Sequence, residues 1–236
     1  MTQLPILFLP GTLCTGAMFS QQIQHLQQFC NDISVVQFTT EQSLSDMANK
    51  VITATKGKPC AIVGFSMGGI VALEVAKTHP QLIAKLALVN SNCHADLPER
   101  KAARSAQIAR VKSGQLIELM TETFLPNYLF KADLAHEQLI IDMATALGAD
   151  CFAAQVMAIE DRPDALLVLT SLKSDIVIIG GKQDKICPAE HQQMMHDNLP
   201  NSRLALLDKC CHFSPLEQAD QVSNLLTQWY LSNALQ

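Results

Sequence analysis

Six short apolar runs, at residues 6–9, 33–38, 60–63, 85–89, 176–179 and 203–207, recur along the chain and are rich in Val, Ile, Leu and Ala. They are continuous rather than alternating, so each predicts a strand buried on both faces, and this limits the fold more than any other feature. Amphipathic stretches near residues 17–29, 43–56, 67–78, 189–199 and 215–231 lie between or after them and predict helices. Strands and helices in alternation give an α/β fold: a small, mostly parallel sheet of about six strands with helices on both faces. The alternation breaks once. From about residue 92 to 169 there is only helical material, such as "RKAARSAQIARVKSGQLIELM" and "HEQLIIDMATALGADCFAAQVMAI". That length exceeds a crossover, and it predicts a helical cap lying over the strand ends, where doubly wound sheets bind ligands.

Composition narrows the functional classes. A chain of 236 residues, 48% hydrophobic, suffices for one domain, residues 1–236, with a continuous core. Its net charge of -5 argues against a nucleic-acid surface. No apolar run approaches the roughly 18 residues of a membrane span. The opening "MTQLPILFLPGTLC" is apolar but has no basic residue and no small-x-small cleavage site, so it reads as a buried strand rather than a leader. Eight cysteines without a C-x-x-C pair read as reduced core thiols, and a cytoplasmic location is expected. No repeat, linker or low-complexity tract divides the chain.

The stretch "CAIVGFSMGGIVALEVA", residues 60–76, sets Ser66 between Gly64 and Gly68, after an apolar run and before a helical one. A serine on so tight a strand-to-helix turn is held in a strained conformation, with its hydroxyl projecting above the carboxyl edge of the sheet. Glycines two positions either side avoid collisions where strand and helix pass closely. The Met67 N–H then lies free at the helix start, where negative charge is favoured. Ser66 is placed to attack a carbonyl carbon, and the Met67 N–H to stabilise the resulting oxyanion.

A serine hydroxyl needs a base and a group to orient that base. "DIVIIGGKQDKICP" is a strand, a Gly-Gly turn and then Asp184; "RLALLDKCCHFSPLEQAD" is a strand, a short loop and His212. After His212 comes Ser214-Pro215-Leu216-Glu217, a helix start with Ser214 as cap and Glu217 completing a capping box. Ser66, Asp184 and His212 follow the serine, acid, histidine order of aligned strand ends. Asp208 is an alternative acid, but it stands only four residues before the histidine on the same loop, where a turn role is favoured. Asp175 lies at a strand's entrance, the wrong face of the sheet. His25, His79, His191 and His196 read as helix residues or helix ends, while His94 and His136 lie in or beside the cap. The Cys210-Cys211-His212 run has no spacing that suits tetrahedral zinc.

On these residues the chain resembles the α/β-hydrolase superfamily, in its serine-nucleophile esterase/lipase-like branch, over nearly its whole length. "GFSMGG" is similar to the nucleophile elbow, "GGKQDKICP" to the acid loop and "CCHFSPLEQ" to the histidine loop. The resemblance implies a second oxyanion N–H from the loop after the first core strand, "LFLPGTLCTG", where Pro10 replaces the usual histidine of H-G-x. Thr12 is the implied donor by position, with Leu13 as the other candidate. The antiparallel strands that often open the fold are absent from the pattern.

The cap is less informative. Phe124, Tyr128, Phe130, Phe152 and Met157 are candidates for an acyl pocket or for core. Arg100, Lys101, Arg104, Arg110 and Lys112 give the first cap helix a basic side, read as solvated; the minority reading is contact with an acidic carrier protein or with a carboxylate or phosphate on the substrate. "EDRPD", residues 160–164, reads as a turn with ion pairs. The expected activity is hydrolysis of a small carboxylic ester, thioester or lactone through an acyl-enzyme, with no cofactor and no metal. The alternatives on this scaffold are a carrier-bound acyl methyl-ester hydrolase, a triad-bearing lyase, and a small-molecule-binding protein without catalysis.

Overall fold

The computed structural model describes residues 3–96 and 98–232. Six strands form one sheet: β1 (Ile6–Leu9), β2 (Ile33–Val35), β3 (Cys60–Phe65), β4 (Ile83–Val89), β5 (Asp175–Gly181) and β6 (Arg203–Leu207). Their order is β2-β1-β3-β4-β5-β6, and all five pairings are parallel. The apolar run at 33–38 gives a strand of only three residues, because after Val35 the ladder ends on a single bond from the Val36 N–H to the Phe8 carbonyl.

Alternate side chains along each strand enter two separate cores. Ile6, Phe8, Ala61, Val63, Phe65, Val177 and Ile179 pack with α1 (Ser20–Leu26) and the C-terminal helix. Leu7, Leu9, Ile62, Leu86, Leu88, Ile176 and Ile178 pack with α2 (Leu44–Ala54) and α3 (Met67–Thr78). Burial on both faces explains why the strands read as continuous apolar runs. The chain moves outward from β1 to β2, then returns to β3 and moves the other way, so α1 and α3 cover opposite faces. The reversal lies between β1 and β3, and it opens a crevice at their carboxyl ends.

Between β4 and β5 come α4 (Pro98–Lys112), α5 (Leu116–Leu119), α6 (Leu134–Glu160) and α7 (Leu166–Ser171). The first three pack on one another, and most of their apolar residues join the first core, while Ala158 and Ile159 at the end of α6 join the second. α7 differs: Leu166, Val168 and Leu169 join the second core beside α3, so this helix belongs to the sheet's own layer although the sequence placed it in the cap. α6 is long and apolar enough to cross a membrane, but half of its most apolar window is buried in the protein, and it breaks at Gly148, where φ is 78°. The chain closes with α8 (Ala189–Asp197), α9 (Ser214–Glu217) and α10 (Ala219–Leu231). All eight cysteines are buried free thiols.

Candidate active site

β3 ends at Phe65 and α3 begins at Met67, leaving Ser66 alone to turn the chain with φ 48° and ψ -114°. A residue with a side chain rarely enters that region, so the turn is strained and must be held from outside. The Ser66 N–H donates to the Val89 carbonyl at 3.0 Å, and the Ser91 hydroxyl donates to the Ser66 carbonyl at 2.8 Å. A Cβ on Gly64 would lie 2.6 Å from Gly69 Cα, and one on Gly68 would lie 1.9 Å from the Leu9 carbonyl oxygen. Glycine is required at both positions for the helix to pass so near β1 and β3.

The three side chains singled out from the sequence meet above this turn. His212 Nε2 lies 3.1 Å from Ser66 Oγ, and His212 Nδ1 lies 2.9 Å from Asp184 Oδ2. His212 and Asp184 are both buried, at 3% and 4% exposure. Asp184 also accepts from the Ile186 and Cys187 N–H groups at 2.8 and 2.9 Å and from Asn90 Nδ2 at 2.9 Å. Burial alone would raise its pKa, but the His212 charge and these hydrogen bonds together hold the carboxyl below the usual carboxylate range. Asn90, at the end of β4 with φ 45°, was not anticipated. Its amide donates to both Asp184 and the Cys211 carbonyl, tying the acid loop to the histidine loop. Ser214 does not cap a helix: its hydroxyl donates to Asn90 Oδ1. Glu217 does not close a capping box either; it accepts from the Cys211 and Phe130 N–H groups at 2.8 and 2.6 Å, because the loop ahead of it needs those donors satisfied.

The two candidate N–H groups after β1 separate clearly. The Leu13 N–H donates to Gln155 Oε1 at 2.8 Å, so it is already engaged. Neither the Thr12 nor the Met67 N–H takes a partner among the described residues, and both residues line the space above Ser66. Gln155, from α6, is 1% exposed, and its amide nitrogen donates to the Phe38 carbonyl at 2.8 Å. It fastens the loop at Leu13, whose φ is 54°. Sequence reasoning missed it, since an isolated glutamine in a helix carries no motif.

The sequence profile of the family described as serine aminopeptidase, S33, matches residues 22–219. The chain belongs to that family. Two curated proteins are 25% identical to it: RutD of Serratia proteamaculans, a carbamate hydrolase by name, over 80% of this chain and 73% of that protein, and a pimeloyl-[acyl-carrier protein] methyl ester esterase of Neisseria meningitidis, over 76% and 73%. Among solved structures, an esterase from Thermogutta terrifontis superposes with a TM-score of 0.87 at 23% identity, covering 97% of this chain and 89% of that one. An enol-lactonase from Burkholderia xenovorans gives 0.85 at 17%, covering 98% and 92%. The fold is therefore that of the α/β-hydrolases, and this S33-family chain is a hydrolase of that fold.

In this S33-family hydrolase the covering helices enclose a cavity of about 520 Å³ with Ser66 and His212 in its wall. Phe124, Tyr128 and Phe152 line it; Phe130 and Met157 do not, and they stand half exposed. The basic side of α4 is not uniformly solvated. Lys101 and Arg110 pair outside with Asp161 and Glu122, but Arg100 and Arg104 turn into the cavity. The Tyr128 carbonyl accepts from the His212 and Phe213 N–H groups at 3.0 and 3.3 Å, so the covering segment grips the histidine loop.

The remaining candidates fall away from the S33 site. Asp208 pairs with Lys182 at the surface, and Asp175 is buried at the far end of the sheet against Lys85. His94 and His191 stack edge to face with centroids 4.5 Å apart, and His136 lies near Asp133. Asp184, Cys187 and His212 bring ligand-type atoms within 4.8 Å of one another. Burial, with the Asp184 charge next, pushes the Cys187 thiol up to about 12.

Proposed function

We propose that the chain is a serine hydrolase of small carboxylic esters that works through an acyl-enzyme, with residues 1–236 forming one domain and α4–α6 serving as its cap. The observation that carries this reading is the 3.1 Å approach of His212 Nε2 to Ser66 Oγ inside a cavity where two backbone N–H groups stand unengaged. His212 takes the Ser66 proton as Oγ attacks the ester carbonyl, and the Thr12 and Met67 N–H groups receive the oxyanion. His212 then delivers its proton to the departing alkoxide. Water, deprotonated by the same imidazole, attacks the acyl-serine, and the acid leaves as Ser66 recovers its proton. Asp184 holds the imidazole with Nδ1 protonated and stabilises its charged form.

The family's aminopeptidase label fits the cavity less well than an ester does. A peptide's α-ammonium needs a carboxylate partner, and Glu99 is the sole acidic residue among those lining the cavity, against Arg100, Arg104, Arg162 and Lys185. The relative named for an acyl-carrier methyl ester supports a second reading, hydrolysis of a carrier-bound acyl ester, in which basic residues at the rim meet an acidic carrier.

The test is turnover of p-nitrophenyl esters from acetate to decanoate by the wild type and by Ser66→Ala, together with intact-mass detection of a fluorophosphonate adduct. Turnover and labelling that both vanish in the variant are expected. Turnover that persists in Ser66→Ala refutes the reading, while a protein that neither turns over nor labels is a lyase or a binding protein.

A further inference from the structure

The cavity carries a charge imbalance that ester hydrolysis does not use. Arg100, Arg104, Arg162 and Lys185 line it with only Glu99 opposite, in a chain whose net charge is -5. Asp96, whose side chain is fully buried, lies behind this wall and is shared: its two oxygens approach Arg104 Nη2 at 2.6 Å and Arg162 Nη1 at 3.0 Å. One carboxylate thus serves two guanidinium groups. Burial holds the Arg162 guanidinium below its usual pKa, with Asp96 opposing and Arg104 adding to the shift. Arg100 and Lys185 have no carboxylate partner among the described residues, and the Arg100 hydrogen bond, at 2.8 Å, goes to the neutral Ile186 carbonyl. The opposite wall is apolar, with Leu13, Phe124, Phe152 and Val156. Clefts lined by one sign of charge concentrate the opposite sign.

We infer that the substrate of the proposed hydrolase carries an anionic group, a carboxylate or a phosphate, which docks against Arg100 and Lys185 while the apolar part of the molecule lies along the Phe124 wall. A guanidinium with one donor already fixed on a carbonyl presents its remaining N–H groups in a plane that matches either anion. The inference rests on the ester-hydrolase reading, and the experiment separates the two.

The full chain is assayed with p-nitrophenyl valerate and with mono-p-nitrophenyl glutarate, which differ chiefly in the terminal carboxylate, at low ionic strength. The expected result is a kcat/KM ratio favouring the charged ester by about tenfold or more, falling as salt screens the site. Arg100→Met and Lys185→Met should each lower that ratio several-fold, and Arg100→Lys should keep part of it. Lys185 is exposed, so its variant gives a readout even where Arg100→Met folds poorly. A ratio near one, or a ratio unchanged in both variants, overturns the inference while leaving the hydrolase reading intact. Failure of both esters instead removes the hydrolase reading. Calorimetric titration with glutarate and with phenyl phosphate then decides the anion site: binding that weakens in Lys185→Met upholds it and shows which anion is preferred, and no binding of either overturns it.

Discussion

Gln155→Leu removes a side chain that touches neither nucleophile nor base, and it is expected to impair catalysis all the same. The glutamine accepts from the Leu13 N–H and donates to the Phe38 carbonyl, each at 2.8 Å. Leucine fills a similar volume, so little cavity is created. The Phe38 carbonyl keeps the Cys151 thiol at 3.4 Å, whereas the Leu13 N–H is left buried with no partner. One such orphan donor costs about 1–3 kcal/mol. In a chain of this size that amounts to a Tm loss of about 2–12 °C. The larger effect falls on geometry. Leu13 sits at φ 54°, and without its anchor the loop relaxes toward ordinary backbone angles, carrying the Thr12 N–H with it. Loss of a whole oxyanion donor lowers kcat by about 10²–10³-fold, and a displaced donor belongs at the lower end, about 10²-fold. The assay is kcat and KM on a p-nitrophenyl ester well below the variant's Tm, with Gln155→Glu beside it. The carboxyl retains an acceptor for Leu13 and should restore much of kcat. A leucine variant that loses Tm but keeps wild-type kcat, or changes KM alone, refutes the reasoning.

Other perturbations test other parts of the structure. Asp184→Asn should lower kcat by about 10⁴-fold through the wrong imidazole tautomer, while Asp208→Asn stays near wild type; the reverse order in a kinetic comparison would assign the acid to Asp208. Gly68→Ala forces a Cβ to within 1.9 Å of the Leu9 carbonyl, and urea unfolding should show a loss above about 4 kcal/mol or no folded protein at all. Despite burial, Asp175 and Asp184 are held below the ordinary value of 3.8, chiefly by Lys85 and by His212 respectively. Their folded pKa values are depressed, so their contribution is fully present well above pH 3.8 and is lost as pH falls through the folded values. Urea midpoints should therefore fall steeply below about pH 4, and an acid arm of unchanged slope in Asp175→Asn would exclude that carboxylate as a source.

The sheet was legible because its central strands are buried on both faces, which leaves an unbroken apolar signature such as that at 6–9; the ends read at 203–207 also match, although that edge strand is mostly half-buried. Ser66, Asp184 and His212 were legible because each lies just past the carboxyl end of a strand, at once or after a short loop, so one-dimensional order carries their placement. Asn90, Gln155 and Ser214 were not. Their partners lie 94, 142 and 124 residues away in the chain, and only the folded topology pairs them. The inward turn of Arg100 and Arg104 was misread for a related reason. A helix with few apolar residues does not announce which way its charged side chains turn, and here two of them line the cavity while Val111 is buried in the core.

The Tyr128 carbonyl, gripped by two N–H groups of the histidine loop, makes the cap and the base parts of one interlock. In the proposed mechanism the imidazole therefore owes its position to the covering segment as well as to Asp184, and a displacement that broke this grip would slacken the base as it widened the cavity.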